Sequence, residues 1–195
     1  MSAKRIILAS GSPRRRELMA REGYEFEVRV SDAEEQDAAV AARPRALPVG
    51  NAIAKGTAVF SALSPQEQKQ CVVVAADTMV FLGEIPFEKP VDPEDAARML
   101  RELSGNTHQV ITGVCVVAAS GTQSFEGVTD VCFKQLTEHE INAYVATGEP
   151  MDKAGAYGIQ GQGGELVDHI EGDFDNVVGL PMALLGEHLL PLIGN

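Results

Sequence analysis

The sequence predicts an α/β fold, and three observations predict it. Apolar runs of strand length alternate along the chain with capped, amphipathic segments of helix length. The run Cys71 to Ala76 is apolar without a break, as expected of a strand covered on both faces. Helix starts are signposted, either by proline in a first turn (Pro13, Pro93) or by the reciprocal cap Thr137-Glu138-His139-Glu140.

Taken in order, Arg5 to Ala9 makes a short buried strand, and Pro13 opens a helix towards Gly23. Phe26 to Val30 alternates as a strand does, and the acidic stretch Asp32-Ala33-Glu34-Glu35-Gln36 follows. Arg43 to Pro48 is expected as a loop. Val49, Ala52, Ile53, Val59, Phe60 and Leu63 then form a helical stripe. The strand Cys71–Ala76 runs into Asp77-Thr78 and on through Met79 to Leu82. Asp92 caps a helix that Ser104-Gly105 ends. Gln109 to Ala119 and Gly127 to Lys134 are expected as two long strands, and the Thr137 cap opens a helix that stops at Gly148. Gly155 to Gly164 is a glycine-rich loop, and Pro181 to Leu190 is a closing helix. No linker separates independent units. The 195 residues suit one domain spanning 1–195, or two small lobes around a shared cleft, with ample length for a core.

A composition of 45% hydrophobic and 23% charged residues is that of an ordinary soluble globular protein. No run approaches transmembrane length, and the first ten residues turn polar too soon for a signal peptide, so a cytoplasmic protein without a membrane partner is expected. Cys71, Cys115 and Cys132 lie in apolar, strand-like runs without metal-ligand spacing, which reads as buried free thiols in a reducing compartment. A net charge of −12 argues against nucleic acid as a partner, because phosphate backbones are bound by a basic surplus. Any phosphate chemistry therefore needs a local basic site within an acidic body.

Such a site is offered by Ser10-Gly11-Ser12-Pro13-Arg14-Arg15-Arg16. A helix N-terminus is already partly positive, so arginines in its first turn are unfavourable unless an anion meets them. A di- or triphosphate would satisfy the free N–H groups, the hydroxyls of Ser10 and Ser12 and the guanidinium forks of Arg14 and Arg15 together. Arg16, the third in succession, is expected to face away. One such arginine alone would simply point to solvent; three behind a Ser-Gly-Ser turn favour the anion. Asp77 closes an apolar run, and a carboxylate at the end of a buried strand is costly without a cation or donors to meet it. The carboxyl end of a strand is also where α/β sheets bind ligands, although a turn-capping aspartate supported by Thr78 fits the residues equally well. Lys55, Lys89, Glu34 and Glu35 taken singly read as solvated surface charges. In Lys153-Ala154-Gly155-Ala156-Tyr157-Gly158-Ile159-Gln160-Gly161 the glycine spacing fails the dinucleotide fingerprint and no helix follows. A loop with little side-chain bulk, displaying Tyr157 and Gln160, suits the approach of a flat base, and an amide can both donate to and accept from a pyrimidine edge. The histidines (His108, His139, His169, His188) are scattered and are expected at the surface or on helices.

In order, these segments resemble the Maf family of nucleotide pyrophosphatases over nearly the whole chain. The resemblance is carried by Leu8-Ala9-Ser10-Gly11-Ser12-Pro13-Arg14-Arg15, Ala76-Asp77-Thr78, Glu88-Lys89-Pro90 and Ser104-Gly105-Asn106-Thr107-His108. It continues through Gly148-Glu149-Pro150, Lys153 to Gly161 and Val177-Val178-Gly179-Leu180-Pro181. It implies a mixed sheet in two lobes around a central cleft, related to the inosine-triphosphate pyrophosphatases, in a homodimer. It also implies cleavage of nucleoside triphosphates between the α and β phosphates with magnesium or manganese. By position, Asp77 matches the catalytic aspartate and Glu35 an acidic partner at the metal. Lys55 and Lys89 match phosphate-site lysines, and Arg14, Thr78 and Gln160 match the positions separating subfamilies, here in the dTTP/UTP pattern. The segment Gly172-Asp173-Phe174-Asp175-Asn176 and Glu88 depart from the usual family pattern. The expectation is thus a metal-dependent pyrophosphatase in which Glu35 and Asp77 hold the cation, with Asp77 open as metal ligand or as base. Arg14, Arg15, Lys55 and Lys89 would neutralise the phosphates. The alternative is a nucleotide-sensing regulator of septum formation.

Overall fold

The structure, a computed structural model, describes residues 4–36, 38 and 41–194. Among them seven strands form one mixed sheet: β1 (Arg5–Leu8), β2 (Phe26–Val28), β3 (Cys71–Leu82), β4 (Ile85–Phe87), β5 (Thr107–Ala118), β6 (Gly121–Phe133) and β7 (Val167–Glu171). The order is β2-β1-β3-β5-β6-β7, with β4 on β3; β1 runs parallel to β2 and β3, and the other pairings are antiparallel. The helices are α1 (Pro13–Arg21), α2 (Leu47–Ser61), α3 (Pro65–Gln70), α4 (Pro93–Leu103), α5 (Glu138–Ala146), α6 (Phe174–Val178) and α7 (Met182–Ile193).

β3 organises the rest through the two-residue period of a strand. Its odd positions Cys71, Val73 and Ala75 pack with Ala52 and Val59 of α2, and further along Met79 and Phe81 pack with Leu47 and Ile111. Its even positions Val72, Val74 and Ala76 pack with Leu18 and Met19 of α1 and Leu185 and Leu189 of α7. Val80, at the far end, instead joins a separate core with Leu100 and Leu103 of α4 and Ile141 and Tyr144 of α5. The sheet thus runs from one apolar cluster into another, and the cleft lies between them.

Several elements differ from their expected bounds. Arg43–Pro48 is a 3₁₀ turn (Pro44–Ala46) leading directly into α2, because Pro44 and Pro48 sit in first turns, where a missing N–H costs nothing. α3 escaped the sequence reading although Ser64 and Glu67 form a full capping box. β6 begins at Gly121, not Gly127: Thr122, Gln123 and Ser124 are polar, but the ladder to β5 needs only their backbone. β4, β7 and α6 are too short to show a period. The glycine-rich loop contains the 3₁₀ turns Ala154–Ala156 and Gln162–Leu166. Cys71 and Cys115 are buried free thiols as expected, whereas Cys132 is half-buried beside the Thr107 hydroxyl.

Candidate active site

Asp77 does not end a strand. It lies in the middle of β3, opposite Gly113 of β5. The pairing of β1 with β3 stops at Leu8–Val74 and that of β4 begins at Val80–Phe87, so on that edge Ala75 to Met79 have no strand partner. This interruption is where the parallel part of the sheet ends. It opens into a cleft of about 960 Å³, within the ordinary range for a small-molecule site. The turn-capping reading of Asp77 and Thr78 fails because both residues are in the strand.

Because β3 alternates, Asp77 faces α2 and Thr78 faces α1. On the α2 side, Lys55 Nζ lies 2.8 Å from Asp77 Oδ1 and 2.5 Å from a carboxylate oxygen of Glu35. Asn51, one turn before Lys55 and so on the same helix face, donates from Nδ2 to Asp77 Oδ2 at 3.0 Å. Its Oδ1 accepts the backbone N–H of Gln36 at 3.1 Å, tethering the acidic segment that carries Glu35. Partial burial works to raise the Glu35 carboxyl, but the Lys55 ammonium, with Lys89 and Arg15 further off, outweighs it and holds Glu35 below the usual range.

On the α1 side the Arg15 guanidinium is held by the protein at three of its five N–H groups. Nε donates to Gly179 O (2.8 Å), Nη1 to Ser10 Oγ (3.1 Å) and Nη2 to Thr78 Oγ1 (3.0 Å). Thr112 Oγ1 donates to Asn176 O at 2.9 Å, so at the 2.9 Å contact between the two threonines Thr78 is the donor. Thr78 therefore accepts from Arg15 and donates to Thr112, and it shapes the cleft without a free hydrogen. Ser12 caps α1 by accepting from Arg15 N, and Ser10 Oγ also accepts Ser12 N. Arg16 is exposed, as expected. Arg14 is left facing the cleft mouth, 3.8 Å from Asp152 on the opposite wall. That wall also carries Lys89, which makes no ion pair among the described residues, and the exposed Gln160.

Two expectations are overturned on that wall. Tyr157 borders the cleft but is only 5% exposed, and His108, expected at a surface, is 1% exposed on β5. His108 Nε2 and Tyr157 Oη are 2.8 Å apart, and both rings meet Phe133 edge-on. The apolar spacing of the loop hid this, because a buried His–Tyr pair leaves no periodic signature. Burial pushes the His108 imidazole down to about 4, partly opposed by Asp130. The unfolded chain takes up this proton near pH 6.5 and the native state only near pH 4, so stability falls as pH falls through that window, by up to about 1.4 kcal/mol per unit. Urea unfolding at pH 7.0 and 5.5 should show a smaller drop for His108→Gln than for wild type. Equal drops would mean that other groups set the slope.

A model of the Maf-like protein family matches residues 5–191. The chain belongs to the Maf family. A dTTP/UTP pyrophosphatase of Deinococcus radiodurans is 46% identical over 184 residues, covering 94% of this chain and 91% of the relative. One from Vibrio cholerae is 48% identical over 185 residues, covering 93% and 95%. Among solved structures, the Staphylococcus aureus Ham1 protein is a looser likeness, 18% identical with a TM-score of 0.47, over 68% of this chain and 73% of that one.

In this Maf chain the cleft gathers all the residues singled out from the sequence: Ser10, Ser12, Arg14, Arg15, Glu35, Lys55, Asp77, Thr78, Lys89 and Gln160. Among the described residues no cluster of three or more His, Cys, Asp or Glu could hold a metal by itself. The donors present still fit a magnesium-type ion. Glu35 and Asp77 already converge on one cation, the Lys55 ammonium, and such ions bind through one or two carboxylates with water and substrate phosphate completing the shell. The sequence reading missed Asn51. Its signal was a polar residue four positions before Lys55 in an otherwise apolar helix. Among the described residues, no helix is long and apolar enough to cross a membrane.

Proposed function

We propose that this chain hydrolyses dTTP and UTP to the monophosphate and pyrophosphate. The observation carrying this reading is the convergence of Glu35 and Asp77 on one cation, facing the basic start of α1 across the cleft. The near full-length relatives named dTTP/UTP pyrophosphatase support it. Glu35 and Asp77 would hold magnesium or manganese, which when bound would supply neutralisation of phosphate charge.

The side chains divide the remaining work. Arg14 and Lys89, from opposite walls, bind the β and γ phosphates. Lys55 keeps the two carboxylates together and neutralises charge at the α phosphate. Asn51 and Lys55 fix the orientation of Asp77, which takes a proton from the attacking water on a lone pair they leave free. Pyrophosphate departs towards the α1 N-terminus, where N–H groups and Arg14 meet its growing charge. Arg15 acts by holding Thr78, Ser10 and the Gly179 carbonyl in place. Gln160 pairs with the pyrimidine edge. Residues 1–195 form one Maf-like domain, in a homodimer as the family resemblance implies. The free thiols and the nucleotide substrates suit the cytoplasm.

The test is pyrophosphate release from dTTP, UTP, ATP, GTP and 7-methyl-GTP with magnesium or manganese. Gln160 can pair with a pyrimidine edge at the cleft, so dTTP and UTP should lead, by on the order of 10²-fold. Equal rates would defeat the base preference, and no release from any nucleotide would defeat the pyrophosphatase reading.

A further inference from the structure

Gln160 projects from the loop between Tyr157 and Leu166, and that loop is folded around one carboxylate. Glu149 begins the 3₁₀ turn Glu149–Asp152 and is half-buried, with its side chain reaching back under the loop. Glu149 Oε2 accepts the N–H of Gln162 at 3.1 Å, and Oε1 accepts that of Gly163 at 3.3 Å. Oε1 also accepts the Tyr144 hydroxyl at 3.0 Å, and the Tyr144 oxygen in turn accepts the N–H of Gly158 at 3.1 Å. The carboxylate thus settles which way the phenol points, since a hydroxyl that donates to Glu149 keeps a lone pair for Gly158. The backbone is held two residues before Gln160 and again two and three residues after it. Lys153 closes the base of the loop by donating to the Glu149 carbonyl at 2.6 Å.

The glycines corroborate this packing. A Cβ on Gly161 would sit 2.7 Å from Glu149 Cδ, one on Gly163 2.5 Å from the Tyr144 oxygen, and one on Gly158 2.6 Å from Lys153 Cε. The loop is glycine-rich because its backbone lies directly on Glu149, Tyr144 and Lys153, whatever lies in the cleft. Burial raises the Tyr144 hydroxyl well above its ordinary value, so it stays a donor across the physiological range.

We infer that Glu149, acting directly and through Tyr144, is a positioning residue for base selection: it sets the loop that presents Gln160. The inference rests on the dTTP/UTP reading above and names the device that tunes it. Glu149 borders the cleft, but both its carboxylate oxygens are engaged by Tyr144 and the loop.

The experiment compares wild type, Glu149→Ala and Tyr144→Phe in three measurements: the melting temperature, amide hydrogen exchange over residues 157–164, and kcat and KM for dTTP and ATP. Loss of hydrogen bonds to a charged acceptor should speed exchange in that segment roughly ten-fold or more in Glu149→Ala. The preference for dTTP over ATP should fall by a similar factor, mostly through KM for dTTP, with turnover of ATP unchanged. Tyr144→Phe keeps the ring packing and loses only the hydroxyl, so it should show a smaller change of the same kind and serves if Glu149→Ala does not fold. Unchanged exchange would overturn the anchoring. Faster exchange with an intact dTTP preference, or an equal loss on both nucleotides, would overturn the role in selection. A wild type with no dTTP preference would instead defeat the base reading on which the inference rests, and the exchange result would still judge the anchor.

Discussion

Asp77→Asn is expected to leave a folded protein that releases pyrophosphate from dTTP about 10²–10⁴-fold more slowly, the usual scale for a lost general base. The substitution keeps volume and packing but removes the charge that meets Lys55 and Glu35's cation site. It also creates a local conflict. Asp77 now accepts from Lys55 on one oxygen and from Asn51 on the other. An amide in its place has one acceptor and one NH₂ group, so either orientation sets donor against donor. A buried unsatisfied group costs about 1–3 kcal/mol, so the melting temperature should fall while the transition stays cooperative. Steady-state rates and a thermal melt on the same preparation separate the two effects. Activity within a few-fold of wild type would remove Asp77 from the mechanism.

Gly113→Ala should damage both stability and turnover although Gly113 does not line the cleft. Gly113 is the β5 residue paired with Asp77, and the first turn of α2 lies directly upon it. An added Cβ would fall on the backbone of Pro48 and Val49, closer than any real carbon can sit. Backbone cannot swing aside as a side-chain tip can, so α2 must lift. Overpacking of this kind costs about 1–3 kcal/mol, occasionally more. Because α2 carries Asn51 and Lys55, the same shift draws both away from Asp77, and a misplacement of this order can cost about 10²-fold in rate. Gly56, further along α2, sits within 3.2–3.4 Å of Val117, Ala75 and Cys115 by the same measure, so the helix is seated at two points. Urea unfolding with kcat for dTTP checks the prediction. A variant as stable and as active as wild type would show that α2 can move without consequence.

The legible features were those written in local chemistry. The apolar core of β3, the caps at Asp92 and Thr137, and the basic start of α1 each follow from neighbouring residues, and all are present. Asp77 could be nominated because a carboxylate beside an apolar run is costly to bury, whereas Glu35 read as a surface charge and entered only through the family resemblance. What such reasoning could not reach was partnership across the chain. Arg15 was expected to meet an anion, and no local pattern records that three of its five N–H donors are tied to Ser10, Thr78 and Gly179. Tyr157 was expected beside a base and is held in the core by His108.

By itself, then, the sequence indicated the longer strands and helices, the free thiols and, through the family resemblance, which charges to expect at the site. Periodicity, capping and charge against a helix dipole act within a turn or a few residues. Only the tertiary structure decided where β1 and β4 leave β3 unpaired, that Lys55 bridges Glu35 and Asp77, and that Glu149 gathers the loop bearing Gln160. These depend on strand register and on how closely α2 approaches the sheet, distances set by packing between residues remote in sequence. A one-residue slip of β3 would exchange the faces of Asp77 and Thr78, and no pattern local to either residue records which way they turn.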